Sequence, residues 1–227
     1  MDHGPLDDAE DSSQVEGLWD ALSSAQASHP GLIRVNFIRW LLHYPMWPLI
    51  WAGMLVVFIS AAMWFHWSFW IPAVLLLLAN GLYWWRLRRH FLHGDAMPGL
   101  VIALDPMLIA AATDLTQGLG NYPVIKIIKK RLGSIAGQEP EVGSRLICVA
   151  TYMMDPDNKL PHWRDVDPVP VECATGSRSA TDRLMVGVPG EQWEQLHDWL
   201  SQVPIPYRPG LYRIRTSTAS WKKKKKR

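Results

Sequence analysis

YPMWPLIWAGMLVVFISAAMWFHWSFWIPAVLLLLANGLYWW, Tyr44 to Trp85, decides how the rest of the chain is read. It contains no Lys, Arg, Asp or Glu, and His66 is its one histidine. It is about twice as long as the roughly 20 apolar residues that carry one helix across a ~30 Å hydrocarbon core. Two membrane-spanning helices in a tight hairpin are therefore expected. The first runs from about Met46 to Phe65, with Pro45 and Pro48 in its opening turn, where a missing N–H costs least. His66 to Trp70 makes the connection, and the second span runs from about Trp70 to Trp85. Of the 13 tryptophans, eight lie between Trp40 and Trp85. Trp47 and Trp51 mark one interface of the first span and Trp64 the other, while Tyr83, Trp84 and Trp85 mark the far end of the second. A buried helix pair of a soluble protein would keep a polar face, and neither half has one.

The charges beside the block set an orientation. Arg34 and Arg39 precede it, Arg86, Arg88 and Arg89 follow it, and the connection has no cation. By the excess of Lys and Arg on cytoplasmic loops, both termini are expected in the cytoplasm, which requires an even number of crossings. The opening MDHGPLDDAEDSSQ is acidic and polar. It has no basic region followed by an apolar core, so no cleavable signal is expected and the first span serves as its own insertion signal.

The overall figures, a net charge of +2 and a mean hydropathy of −0.03, average unlike parts. Residues 1–31 carry acidic side chains and no Lys or Arg. They read as a largely disordered segment with at most a short helix over Val15–Ala25. Residues 32–43 read as a juxtamembrane amphipathic helix. Asn36, Arg39 and His43 share one face, and Val35, Phe37, Ile38, Leu41 and Leu42 the other. Such a helix lies in the interface plane or extends the first span. Residues 216–227 end in a polybasic tail.

Residues 94–215 read as a cytoplasmic β-rich domain. Gly99–Leu104 and Met107–Ala112 flank the turn pair Asp105-Pro106 as a hairpin. Strands are expected over Pro123–Lys130, Arg145–Met153, Val169–Ala174, Arg183–Val188 and, at an edge, Leu211–Arg215. One helix follows Pro189, with Trp193, Leu196, Leu200 and Val203 at helical spacing and Pro204 and Pro206 as its stop. The fold class is thus a membrane α-helical hairpin plus a soluble α+β domain, specifically a small OB-like or SH3-like barrel with one helix.

No catalytic signature emerges. Gly118-Leu119-Gly120 lacks the third glycine of a dinucleotide fingerprint and the Gly-Lys-Ser/Thr of a P-loop, and there is no Gly-x-Ser-x-Gly or His-Glu-x-x-His. His90 and His93 lie one helical turn apart but among arginines, which disfavour a metal cation. Asp105 before Pro106 is turn chemistry, and Asp114 suits a local cap. The two cysteines, Cys148 and Cys173, form no CxxC pair and read as reduced thiols in strands. No catalytic residue, metal or cofactor is assigned. Two groups carry binding hypotheses. Asn80, the strongly polar side chain of the second span, is expected to pair helices within the membrane. Trp221, Lys222, Lys223, Lys224, Lys225, Lys226 and Arg227 are expected to bind anionic lipid head groups, each cation contributing about 1 kcal/mol near the surface. Solvation of the tail, non-specific phosphate contact or pairing with the acidic N-terminus are its rivals. No specific nucleic acid is expected.

The run from Gly94 to Ile127, GDAMPGLVIALDPMLIAAATDLTQGLGNYPVIKI, behind a two-span hairpin resembles a family of uncharacterised bacterial membrane proteins. The resemblance rests on Gly94-Asp95, Thr113-Asp114-Leu115 and Tyr122-Pro123. It implies the bacterial inner membrane and transfers no activity. A hairpin with an appended small β-domain also looks like the general plan of NfeD-type membrane quality-control proteins, an analogy of architecture only. The reading is a non-enzymatic, membrane-anchored adaptor or regulatory module that meets other membrane proteins or itself. The alternatives are a membrane-bound enzyme with a site built from Thr113–Tyr122 and Asp155–Pro168, and a subunit of an oligomeric channel or transporter with Asn80 facing the assembly.

Overall fold

The computed structural model describes residues 30–117, 121–155 and 160–215. The acidic N-terminal segment, the Gly118–Gly120 stretch and the polybasic tail lie outside them.

A short helix α1 (Phe37–His43) starts at Asn36, whose side chain accepts hydrogen bonds from Ile38 N at 3.0 Å and Arg39 N at 3.2 Å. Residues before it are not helical, contrary to the expectation of a helix from Leu32. Their N–H groups are taken by the end of a later helix: Gly31 N donates to Gly94 O at 3.0 Å and Ile33 N to Phe91 O at 3.1 Å. Helix α2 (Met46–Trp64) follows, then a short 3-10 turn at Trp67–Phe69 and helix α3 (Trp70–His93). The His66 side chain caps the turn, accepting from Ser68 N at 3.2 Å. Both helices are long and apolar enough to cross a membrane, with only 6% of each apolar window buried within the chain. The buried positions in the apolar blocks of α2 and α3 include the small residues Ala62 and Ala73, which let helices approach closely. α3 does not stop where the apolar block stops. It continues past Trp85 to His93 because Leu87 and Phe91 are buried in the soluble core, while Arg86, Arg88 and Arg89 face outward.

Six antiparallel strands follow: β1 (Asp95–Leu104), β2 (Met107–Asp114), β3 (Pro123–Lys129), β4 (Arg145–Met153), β5 (Asp165–Pro170) and β6 (Gly210–Arg213). Their order in the sheet is β5-β4-β1-β2-β3-β6. β1, β2 and β4 are central and carry long apolar, nearly continuously buried runs, the pattern of strands covered on both faces. The sheet curls into a half-barrel. The segment entering β5 swings back to the far end of β2, where Trp163 N donates to Leu115 O at 2.9 Å. Lys126 Nζ on β3 meets both carboxylate oxygens of Asp165 on β5 at 2.7 Å. No ladder joins β3 to β5, so the expected OB-like or SH3-like closure is seen only as this curled, open sheet.

Two helices, not one, accompany the sheet. Arg183–Val188 was expected as a strand, but it lies largely in helix α4 (Arg178–Gly187). The signal is local: Ser177 caps the helix through Ala180 N, and Ala180, Thr181, Leu184 and Val188 recur at helical spacing on the side turned to the protein. Val169–Ala174 is likewise not one strand. β5 ends at Pro170, and Val171–Cys173 turn as a 3-10 helix closed by Ala174 N to Val171 O at 2.9 Å. Helix α5 (Gly190–Leu200) packs on β1, β2 and β3 and buries Trp193, Leu196 and Leu200. Each contributes roughly 1.5–3 kcal/mol through burial.

Candidate functional site

Two polar constellations stand out among the described residues: one where β1 begins and β2 and β4 end, the other between α1, α3 and the sheet. In the first, Asp95 on β1, Thr113 on β2 and Tyr152 on β4 share a face by strand register. The Tyr152 hydroxyl donates to Asp95 Oδ2 at 2.9 Å and lies 2.7 Å from Thr113 Oγ1. Trp163 stacks on Tyr152 with ring centroids 5.9 Å apart. Burial first, and the Asp95 charge second, hold the Tyr152 phenol well above its ordinary pKa. It is therefore a fixed donor at neutral pH, neither a base nor a nucleophile. Beside it Asp114 caps the turn it was expected to cap, accepting from Thr116 N at 2.9 Å and Tyr122 N at 3.0 Å. Tyr122 packs on His162 with ring centroids 4.3 Å apart, and the Arg213 guanidinium lies 5.0 Å from the Tyr122 ring centroid. The Tyr152 hydroxyl ties β4 to β1 and β2, and Asp114 holds the turn after β2. The constellation is a clasp on the half-barrel.

The second constellation lies at the junction between helices and sheet. Arg39 on α1 donates through one Nη to Glu172 O at 3.2 Å and Thr175 O at 3.1 Å. Lys130 Nζ, just past β3, lies 3.2 Å from the Tyr44 ring centroid and donates to His43 O at 2.9 Å. Partial burial lowers its pKa. Trp40 is buried between Tyr44, stacked at 4.3 Å, and Phe91, edge-on at 5.9 Å, and its Nε1 donates to the Tyr83 hydroxyl at 2.7 Å. His90 on α3 is bound to the sheet through Val149 O at 2.9 Å, and its other ring nitrogen lies 3.3 Å from Thr151 Oγ1. His90 thus positions α3. No group of three His, Cys, Asp or Glu side chains that could hold a metal occurs among the described residues.

Behind this junction sits Glu172, 5% exposed, with neither carboxylate oxygen hydrogen-bonded. Burial pushes its pKa up from 4.5 to about 7, opposed by its own backbone N–H and by Arg39. Cys148 and Cys173 are free, fully buried thiols. Burial pushes the Cys173 thiol up to about 12 and raises Cys148 well above its ordinary value, so neither is a nucleophile at neutral pH.

Of the residues singled out from sequence, Asn80 is half-buried on α3, and its side chain makes no hydrogen bond among the described residues. Trp221 to Arg227 lie outside the described residues. Glu172 and the Arg39, Trp40 and Lys130 contacts were not anticipated. Their signals were present: Trp40 completes the Asn36, Arg39, His43 face at helical spacing, and Glu172 is the lone charge in an otherwise apolar PVPVECA run.

The family described as "Protein of unknown function (DUF3239)" matches residues 86–204, just over half of the chain. No curated protein matches it in sequence. A crystal structure of a presumptive membrane protein from Corynebacterium diphtheriae resembles it at 22% identity and a TM-score of 0.45, covering 53% of this chain and 100% of that one.

Proposed function

The chain belongs to the DUF3239 family, whose function is unknown, and from that premise we propose a membrane-anchored adaptor that holds a small β-domain rigidly at the inner face of a bacterial membrane. One observation carries this reading. α3 runs without a break from the exposed apolar span into the core of the sheet, where Leu87 and Phe91 are buried. A flexible tether would let the domain turn freely. A continuous helix, braced by His90 and by α1, fixes which surface of the domain a neighbouring membrane protein meets. α1 supports the same picture. Its Arg39 face is docked on the 3-10 turn that follows β5, and Ile38 and Leu42 stand 68% and 75% exposed on the other side, where an interfacial lipid layer would cover them.

The strand arrangement supports an OB-like reading of the half-barrel, with β5 returning toward β3 through Lys126 and Asp165. The partner would meet a face or loop. Strand addition is disfavoured because edge strand β5 carries Pro168 and Pro170, and edge strand β6 has four residues. Trp221 to Arg227 would lie on anionic head groups beside the anchor.

Self-association is a second reading, favoured by Asn80, a half-buried amide in an apolar helix with no partner among the described residues. One experiment separates the two. Two differently tagged copies are co-expressed, extracted in mild detergent and purified through one tag. A defined second membrane protein supports the adaptor. Recovery of the other tagged copy alone, lost with Asn80→Leu, supports self-association and counts against the adaptor.

A further inference from the structure

Where α3 leaves the apolar block, a groove of about 380 Å³ opens between it and the segment leading into α1. Val35 and Phe37 form one wall, and Gly81, Trp84, Trp85 and Arg88 the other. We infer that this groove is a binding site for one bilayer phospholipid with a net-negative head group, Arg88 taking the phosphate and the aromatic walls taking the start of the acyl chains. The inference rests on the anchor reading, which puts the groove at the level of the lipid head groups.

The groove is a built concavity, since its two walls come from different elements and its rings are held. The two walls meet where the Phe37 and Trp84 rings touch, with centroids 4.4 Å apart, and Trp84 meets Tyr83 edge-on at 5.3 Å. The Arg89 guanidinium sits 4.9 Å from the Trp85 ring centroid. Its volume falls in the roughly 300–1,000 Å³ range of small-ligand sites. Arg88 is the one ionisable side chain among the residues that line it, and no Asp or Glu occurs along the two segments that form its walls. Apolar aromatic walls beside a cation match an amphiphile with an anionic head. Basic pockets beside cytoplasmic helix ends take such head groups for the same electrostatic reason. Gly81 lines the groove, and a Cβ built there meets no heavy atom within 4 Å. A larger side chain would therefore fill the groove without straining the protein.

The test uses the full chain in detergent micelles doped with either phosphatidylglycerol or phosphatidylcholine, with bound lipids counted by native mass spectrometry. One phosphatidylglycerol is expected to remain bound, with phosphatidylcholine lost. Arg88→Gln should weaken retention about five-fold, the loss of one surface cation. Gly81→Leu, which leaves the helix intact, should abolish it. Deleting Lys222–Arg227 should leave this one lipid in place. Equal retention of both lipids, full retention in Gly81→Leu, or loss only on deleting the tail would overturn the site. Alkaline carbonate extraction of cell membranes keeps the premises apart. Release of the chain by carbonate overturns the anchor and the site together, whereas an integral protein without the lipid preference overturns the site alone.

Discussion

Glu172 concentrates the chemistry of single residues in this protein. Its carboxyl is buried near Cys148 and Cys173 without a hydrogen-bond partner, and an unpaired buried charge is costly. The folded pKa is raised from 4.5 to about 7, so between those values the folded state holds a proton that the unfolded state has released. Stability therefore falls as pH rises through that window, by about 3 kcal/mol, and is flat above it. Glu172→Gln should remove the dependence. Thermal unfolding of the full chain in detergent should show the variant more stable at pH 8 and indistinguishable from the parent near pH 4.5. A variant less stable at both values would mean that the carboxylate has a partner. Asp105 and Asp114 stand out in the sequence and Glu172 does not, because an acidic residue in a short apolar run reads as an exposed strand position. Burial is a property of the fold around it. Gly94, by contrast, was picked out with Asp95 as part of a motif, and its reason is steric. A Cβ there would collide with the His90 carbonyl, and it would come within 2.8 Å of Ala150 O.

At the scale of elements, hydropathy and structure part company at Trp85. The apolar block located α2, the turn and the start of α3 to within a residue or two, because a hydrocarbon environment and an uncharged run are the same fact seen twice. It misplaced the end of α3 because helix termination is decided by backbone hydrogen bonding and packing. Leu87 and Phe91 lie on one side while Arg86, Arg88 and Arg89 point away. That is an amphipathic extension, invisible to a block-wise reading. The strands with strong β-branched content, β3 and β4, were legible. α4 was not, because RLMVGV is apolar enough for a strand, and the helix shows only in the Ser177 cap and in the spacing of Ala180, Thr181, Leu184 and Val188. The α3 extension makes Phe91 the hinge pin between anchor and domain. It is fully buried against Trp40, so Phe91→Ala should destabilise the domain by about 3–5 kcal/mol while leaving membrane insertion intact. Hydrogen exchange should show the loss as faster exchange in residues 30–44 and 87–95 ahead of the distant α5. Uniform change across the domain would mean that the junction is not a separate unit.

For the whole molecule, orientation is the property on which the adaptor reading depends. Five arginines flank the hairpin and none lies inside it, which favours the connection at Trp67–Phe69 on the outer side and the sheet on the inner side. The protein is well suited to a direct measurement. Its two native cysteines are fully buried and their thiols are raised far above neutrality, so they give little background with a thiol reagent. A cysteine placed at Ser68, exposed in the turn, should react in intact cells with a reagent that cannot cross the membrane. A cysteine at Glu141, exposed in the loop before β4, should react only after the membrane is opened. The reverse pattern would put the sheet outside and remove the inner-face adaptor. Labelling of both sites in intact cells would mean that α2 and α3 do not cross as a pair. In that case the exposed apolar surface on both helices would need a protein partner to cover it instead of lipid, since folded monomers rarely leave apolar patches larger than a few hundred Å² in water.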